Sequence, residues 1–344
     1  MSTDVNCQVQ LAARPNGFPK DTDFRFVEAE IPRPGEAQML CRTIYLSLDP
    51  YMRGRMAAGP SYAPGLAVGD VMGAGTVSSV VESNLDGYAV GDMVLGGNGW
   101  QEYAVSDGRG VRKLDPSHAP ISTALGVLGM PGHTAYVGLL DIGKPQPGET
   151  VVVSAASGAV GAVVGQIARL KGCRVVGVAG APEKCEYVVG DLGFDACVSH
   201  RSDQLPAELK TACPDGVDVY FENVGGKVFD AVLPLLNTFA RVPICGRIAT
   251  YNMTAPPPGP DQVPQVMGRV LVYRLTIRGF IVFDHADREA DFLRDVGGWI
   301  HDGSLTYKED IVEGLDHAVG AFQGLLEGKN FGKLLVRVSD DPTR

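Results

Sequence analysis

The sequence has no C-x-x-C pair, no basic tract and no apolar run long enough to span a membrane. Its seven cysteines (Cys7, Cys41, Cys173, Cys185, Cys197, Cys213 and Cys245) are odd in number and dispersed. That excludes both the disulfide framework of a small secreted domain and the clustered thiolates of a structural zinc site. Reduced, mostly buried thiols are expected. The stretch Met1–Pro15 lacks the basic start and apolar run of a signal peptide, so a cytoplasmic protein with no membrane partner is expected. A formal net charge of −10 repels polyanions and argues against a nucleic-acid partner.

Two catalytic signatures are also missing. A zinc alcohol dehydrogenase needs Cys and His ligands in its β-rich domain. The corresponding part of this chain offers only Cys7, Cys41 and His118, with no G-H-E element, so no catalytic metal is expected. The absence of G-x-S-x-G disfavours an α/β-hydrolase.

What is present changes character along the chain. Over residues 1–123, short apolar runs such as Ala37–Tyr45, Met72–Val81 and Asp92–Leu95 are separated by turns. Val68-Gly69-Asp70 and Val90-Gly91-Asp92 are two of these turns, and the pattern predicts a compact barrel-like or sandwich domain. Residues 124–303 alternate strands and helices at βαβ spacing. Thr150–Ser154 reads as a strand covered on both faces, and Ala159–Leu170 as an amphipathic helix. Strands are predicted at Arg174–Val178, Ala196–Ser199, Val217–Phe221, Phe239–Cys245 and Thr276–Val282, with helices from about Pro182 and over Ala286–His301. The Pro-rich run Ala255–Pro264 is predicted to be a surface loop bordering the site. Residues 304–344 look β-rich again and are expected to rejoin the first domain.

The strongest motif is Ala155-Ala156-Ser157-Gly158-Ala159-Val160-Gly161, which fits A-x-G-x-x-G between a strand and a helix. Gly158 would let the backbone approach a pyrophosphate, Gly161 would let the helix pack on the sheet, and the helix N-terminus would supply N–H donors. The second strand ends Val178-Ala179-Gly180 without the acid that binds a ribose diol. Glu183 lies later, at a helix start, while Lys184 and the pair His200-Arg201 offer cations. The combination favours NADPH over NADH.

With the metal and the serine nucleophile set aside, direct hydride transfer to a conjugated carbon–carbon double bond suits the site. Charge would collect on the carbonyl oxygen, where neutral donors can hold it. Tyr45, Tyr51 and Tyr62 lie near one another in the sequence, and Tyr251 and Tyr273 flank the Pro-rich run. Met130 adds to a furnished pocket. A quinone reductase and a non-catalytic NADPH-binding sensor or structural protein are the alternatives.

Four segments resemble a known family: Tyr45–Met56 (YLSLDPYMRGRM), Gly126–Tyr136 (GVLGMPGHTAY), Glu222–Gly226 (ENVGG) and Gly328–Lys333 (GKNFGK). In this order they resemble the zinc-independent medium-chain dehydrogenase/reductases of the leukotriene B4 dehydrogenase/prostaglandin reductase family, most of all the bacterial NADPH-dependent curcumin reductases. The resemblance implies an α/β protein in which a Rossmann-type doubly wound parallel sheet domain is inserted into a GroES-like β-barrel domain. It implies NADPH-dependent reduction of α,β-unsaturated ketones and aldehydes, and a homodimer joined edge to edge near Phe280–Val282.

By matching position, the implied cofactor contacts are Met130, Thr134, Gly158, Ala159, Val160, Gly161, Gly180, Lys184, His200, Asn223, Cys245, Gly246, Thr250, Tyr251, Phe280, Ile281, Val282 and Asn330. Two positions depart from the family. His200 stands where many relatives have Tyr. Val272, next to Tyr273, stands where plant and mammalian relatives have a catalytic Tyr. Tyr51, Tyr62 and Tyr251 are the candidates to supply the hydroxyl, unless the cofactor ribose suffices.

Overall fold

The computed structural model describes residues 5–59, 61–256 and 259–344. Two compact units result, one built from the chain up to Gly126 together with Glu309–Arg344, the other from Val127–Lys308.

In the first unit, β1 (Val5–Leu11) and β2 (Phe24–Glu30) form an antiparallel ribbon. The larger sheet begins with β3 (Met39–Ser47), followed by the short helix α1 (Met52–Arg55) and then β4 (Thr76–Ser83). It continues through β5 (Met93–Gly96), β6 (Tyr103–Ser106) and β7 (Arg112–Leu114). The expected turns form as the sequence requires. Gly69 and Gly91 take φ of +99° and +94°, where only glycine is unstrained. Asp70 and Asp92 accept the amides of Ala67 and Ala89 at 2.7 and 2.8 Å.

The second unit opens with α2 (Met130–Val137), followed by β8 (Thr150–Ser154), α3 (Gly161–Leu170) and β9 (Arg174–Ala179). After α4 (Pro182–Gly190) come β10 (Ala196–Ser199), α5 (Leu205–Ala212), β11 (Val217–Phe221) and α6 (Gly226–Val232). The unit closes with β12 (Leu236–Ile244), α7 (Val263–Tyr273), β13 (Thr276–Gly279) and α8 (Glu289–His301). The strands lie parallel in the order β10-β9-β8-β11-β12-β13. This is the doubly wound Rossmann order, with its switch point between β8 and β11. The apolar run of β8 is explained directly: Val151 and Val153 face one core cluster and Val152 the other.

The chain then returns to the first unit. β14 (Glu309–Glu313) and β15 (Lys333–Arg337) pair in parallel, and β15 pairs antiparallel with β3. Between them lies α9 (Ala318–Leu326), whose Phe322 meets the Trp100 ring edge-on at 5.7 Å, while Trp100 stacks on Phe24 at 6.0 Å.

Three local expectations are corrected. α7 begins at Val263, so Pro264 lies inside a helix; it sits in the first turn, where its missing N–H costs nothing. Pro257 and Pro258 of the same run lie outside the described residues. The strand expected over Thr276–Val282 ends at Gly279, because Phe280 turns inward to meet Phe221 edge-on at 6.3 Å. The segment is fitted to Gly138, where an added Cβ would lie 2.5 Å from the Phe280 ring. The helix expected from Ala286 is 3₁₀ up to Arg288 and α-helical only from Glu289. No helix among the described residues is long and apolar enough to cross a membrane.

Candidate cofactor site and active site

The site is assembled where the strands of the parallel sheet end. After β8 the chain turns sharply at Ala155, whose φ of +51° is one that side chains rarely adopt. The Ala155 carbonyl accepts the Gly158 amide at 2.9 Å, and the Ala156 amide bonds the Val178 carbonyl of β9. Gly161 opens α3 against this turn: a Cβ there would lie 2.3 Å from the Ala155 carbonyl oxygen. At Gly158 the same test gives 3.1 Å. The two glycines thus let the backbone of residues 155–161 fold onto itself. Ala159 and Val160 lead into α3, whose first N–H groups have no intrahelical acceptor. A glycine-bearing turn that leads into a helix N-terminus is what a pyrophosphate needs.

Next along the sheet, β9 ends at Ala179 and Gly180 follows. A Cβ at Gly180 would lie 3.0 Å from His200 Nε2 and 3.8 Å from Arg201 Nε. The bare glycine is therefore the space into which these two side chains reach from the end of β10. Burial lowers the His200 pKa, and Lys227, Arg201 and Lys184 lower it further by charge repulsion, so the ring is neutral at neutral pH. Lys184 is buried in the first turn of α4. Gly180 and the neutral His200 ring thus lie near three charged side chains, Lys184, Arg201 and Lys227, a local positive field within an acidic protein.

On the other side of the switch point, Glu222 is buried and tied to three groups. Ser154 Oγ and Tyr220 OH donate to its carboxylate at 2.9 and 2.8 Å, and the Val224 amide at 2.5 Å. Ser154 in turn accepts the Asn223 amide at 2.8 Å, and Asn223 Nδ2 donates to the Ser154 carbonyl at 2.7 Å. The segment after β12 is stitched to the same place. The Cys245 and Gly246 amides bond the Glu222 carbonyl, and the Ile248 amide bonds the Asn223 carbonyl. Burial pushes the Cys245 thiol up to about 12. Thr250 Oγ1 donates to the Arg247 carbonyl at 3.0 Å, and the Arg247 amide reaches the Tyr251 hydroxyl at 3.5 Å.

Gly158–Gly161, Gly180, Lys184, His200, Asn223, Cys245, Gly246, Thr250 and Tyr251 are therefore gathered along the carboxyl ends of β8 to β12. Met130 and Thr134 are joined on α2, the Thr134 hydroxyl donating to the Met130 carbonyl at 2.7 Å. Phe280, Ile281 and Val282 leave the end of β13, with Val282 buried.

Tyr51, Tyr62 and Asn330 belong to the other unit. Tyr51 is half-buried at the start of α1, while Tyr62 is 60% exposed. Asn330 Nδ2 donates to the Gly332 carbonyl at 2.9 Å. Tyr45 does not act as an open donor: it is fully buried, with its hydroxyl bonded to Asp341 at 3.0 Å. Tyr273 lies under the Arg269 guanidinium, 4.7 Å from its centroid, and Val272 is exposed. Just before Tyr51 in the chain, Asp49 accepts the buried Lys333 ammonium at 2.7 Å and the Leu48 carbonyl accepts it at 2.9 Å, fixing the corner from which α1 starts.

Sequence reasoning missed Lys227, Glu222 as an organiser, and the Lys333–Asp49 pair. Lys227 immediately follows Gly225-Gly226, so the ENVGG segment was the available signal. The two partners of the buried ion pair lie in the segments Tyr45–Met56 and Gly328–Lys333, far apart in sequence, and nothing local shows that they meet.

Known proteins resemble the chain over nearly its whole length. A family model described as the N-terminal domain of oxidoreductase matches residues 7–114, and one described as zinc-binding dehydrogenase matches residues 159–296. The NADPH-dependent curcumin reductase of Escherichia coli is 55% identical over 332 residues, covering 96% of each chain. The NADP(+)-dependent 2-alkenal reductase of Nicotiana tabacum is 39% identical over 97% of this chain and 98% of its own. The crystal structure of CurA in complex with NADPH from Vibrio vulnificus superposes with a TM-score of 0.94 at 50% identity, covering 97% of this chain and all of that one.

Proposed function

Since the chain belongs to the zinc-independent branch of the medium-chain dehydrogenase/reductase family, we propose that it reduces the carbon–carbon double bond of α,β-unsaturated ketones and aldehydes. It is an oxidoreductase whose cofactor is NADPH. The observation that carries the reading is the pairing of a glycine-shaped phosphate cradle at Gly158–Gly161 with the basic group around Gly180. The first suits any dinucleotide, and the second suits one bearing a 2′-phosphate.

Bound NADPH supplies the hydride that the β-carbon of the acceptor gains. The protein's own part is to bind, orient and hold charge. Residues 158–161 take the pyrophosphate, and Lys184, His200, Arg201 and Lys227 take the 2′-phosphate. Asn223, Cys245, Gly246, Thr250, Phe280, Ile281, Val282, Met130, Thr134 and Asn330 position the remainder of the nucleotide. No G-H-E element is present in the sequence, so the carbonyl oxygen is polarised by neutral donors. Burial holds the Tyr51 and Tyr251 hydroxyls above the ordinary phenol pKa. Both are therefore protonated at neutral pH and able to donate to a developing enolate. Tyr62, exposed beside Tyr51, is assigned to the substrate approach. The α-carbon then takes its proton from water.

We further infer a homodimer. Val263, Met267 and Leu271 recur every fourth residue on α7 and are 63%, 61% and 78% exposed. The next strand, β13, is the open edge of the parallel sheet, and all four of its residues are exposed. An apolar stripe beside an unpaired edge invites a second copy.

The test is NADPH consumption with curcumin, an aliphatic enone, an alkenal and a quinone, each repeated with NADH and with a chelator. Turnover of the enone and alkenal with NADPH, unchanged by chelator, is expected. Turnover of the quinone alone, or NADPH binding without turnover, would overturn the reading.

A further inference from the structure

One buried acid beside the proposed site has no counter-ion. Glu222 follows β11 directly and is 2% exposed. Its carboxylate is held by donors alone: Ser154 Oγ at 2.9 Å, Tyr220 OH at 2.8 Å and the Val224 amide at 2.5 Å. No basic side chain among the described residues bonds it. Burial, and then the charge of Glu222, hold the Tyr220 phenol well above its ordinary pKa, so Tyr220 stays protonated as a donor. This is the hydrogen-bond pattern of an ionised carboxylate. The bonds explain how the charge is tolerated but not why one is there. A glutamine could tie the same groups without the cost of burying an unpaired charge.

The position of Glu222 supplies a reason. A dinucleotide lies across the switch point of a doubly wound sheet, one half on each side. Gly180, Lys184 and His200 belong to the β9–β10 side, so the nicotinamide half falls to the ends of β11 and β12. Glu222 is bonded to every segment there. Its carboxylate spans to Ser154, the last residue of β8, and its backbone carbonyl accepts the Cys245 and Gly246 amides at 2.9 and 3.1 Å. A Cβ at Gly246 would lie 3.2 Å from the Asn223 carbonyl oxygen and 3.5 Å from the Tyr251 hydroxyl. Glu222 thus stands directly behind Asn223, Gly246 and Tyr251.

We propose that Glu222 is a fixed negative charge that favours the oxidised, cationic nicotinamide over the reduced, neutral one, and so promotes hydride donation. It acts through space and through Asn223, as a positioning residue rather than a catalytic one. This rests on the NADPH assignment. Bound NADPH gives up a hydride, one proton with two electrons, to the β-carbon, and its ring is left with one positive charge. A buried anion stabilises that charged state, because the protein interior screens it less than water would. The pyrophosphate and 2′-phosphate are the same in both redox states, so the basic group around Gly180 does not discriminate between them.

The experiment titrates the full-length protein with NADP(+) and with NADPH by calorimetry. Glu222→Gln, which removes the charge and keeps the shape, should weaken NADP(+) about tenfold and NADPH by no more than about twofold. The single-turnover loss of NADPH absorbance with an enone should slow about tenfold as well. Glu222→Asp, which keeps the charge, should restore most of the NADP(+)/NADPH affinity ratio. Equal losses for both redox states would reduce Glu222 to a strand tie and overturn the proposal, as would an unchanged ratio. Should Glu222→Gln not fold, infrared difference spectra of wild-type protein carrying carboxyl-13C glutamate compare the NADP(+) and NADPH complexes. A perturbed glutamate carboxylate band is expected, and a spectrum without one would overturn the proposal. Wild-type protein that binds neither nucleotide would instead count against the cofactor assignment, a separate outcome.

Discussion

At Gly180 a side chain would occupy the space that His200 and Arg201 use, and the proposed 2′-phosphate site depends on that missing side chain. Lys184 is the buried member of that group. A charge-assisted contact to the 2′-phosphate is worth roughly 1.5–3 kcal/mol. Lys184→Ala should therefore weaken NADPH binding by at least about tenfold and leave NADH nearly unchanged. Equal losses for both nucleotides in fluorescence titrations would remove Lys184 from that role. The tyrosines are the second question at this scale. If a phenol holds the enolate oxygen, either Tyr51→Phe or Tyr251→Phe should lower kcat on the order of a hundredfold with little change in NADPH affinity. Two fully active variants would leave the oxygen to the cofactor ribose.

The elements that carry the site follow from simple patterning, and where they depart from it the reasons are local. β8 was legible residue for residue because Thr150–Ser154 is buried on both faces and nothing else explains an unbroken apolar run. The turn after it was legible because its glycines have a steric purpose. Gly161→Ala would drive a methyl into the Ala155 carbonyl, a clash of the kind that costs about 1–3 kcal/mol. A lowered Tm together with weaker binding of both NADPH and NADH is expected, whereas an unchanged melt and unchanged titrations would mean that the turn is not the cradle. α7 was hidden by prolines that read as a loop, although Pro264 sits in the first helical turn, where its missing N–H breaks no helical bond. α9 was hidden because its apolar face serves Trp100 and Phe24, far upstream in the chain. The pairing of Lys227 with His200, and of Lys333 with Asp49, arises from tertiary packing: the segments that hold these residues were legible, their meeting was not.

At the scale of the whole molecule, a strand edge without a partner and an exposed apolar stripe lie on consecutive elements, β13 and α7. A second copy covering both would extend the parallel sheet across a two-fold axis. Leu271→Glu, which places a charge at the most exposed point of the stripe, should convert the proposed dimer to a 36.4 kDa monomer by light scattering. A wild-type protein that is already monomeric would contradict the dimer.

In the proposed reaction the carbon–carbon double bond, not the carbonyl, receives hydrogen from the cofactor. The most direct test uses NADPH deuterated at the transferred position and an aliphatic enone, with the product analysed by NMR. Deuterium at the β-carbon of a saturated ketone is predicted. Deuterium at the carbonyl carbon of an allylic alcohol would mean that the enzyme reduces the carbonyl instead.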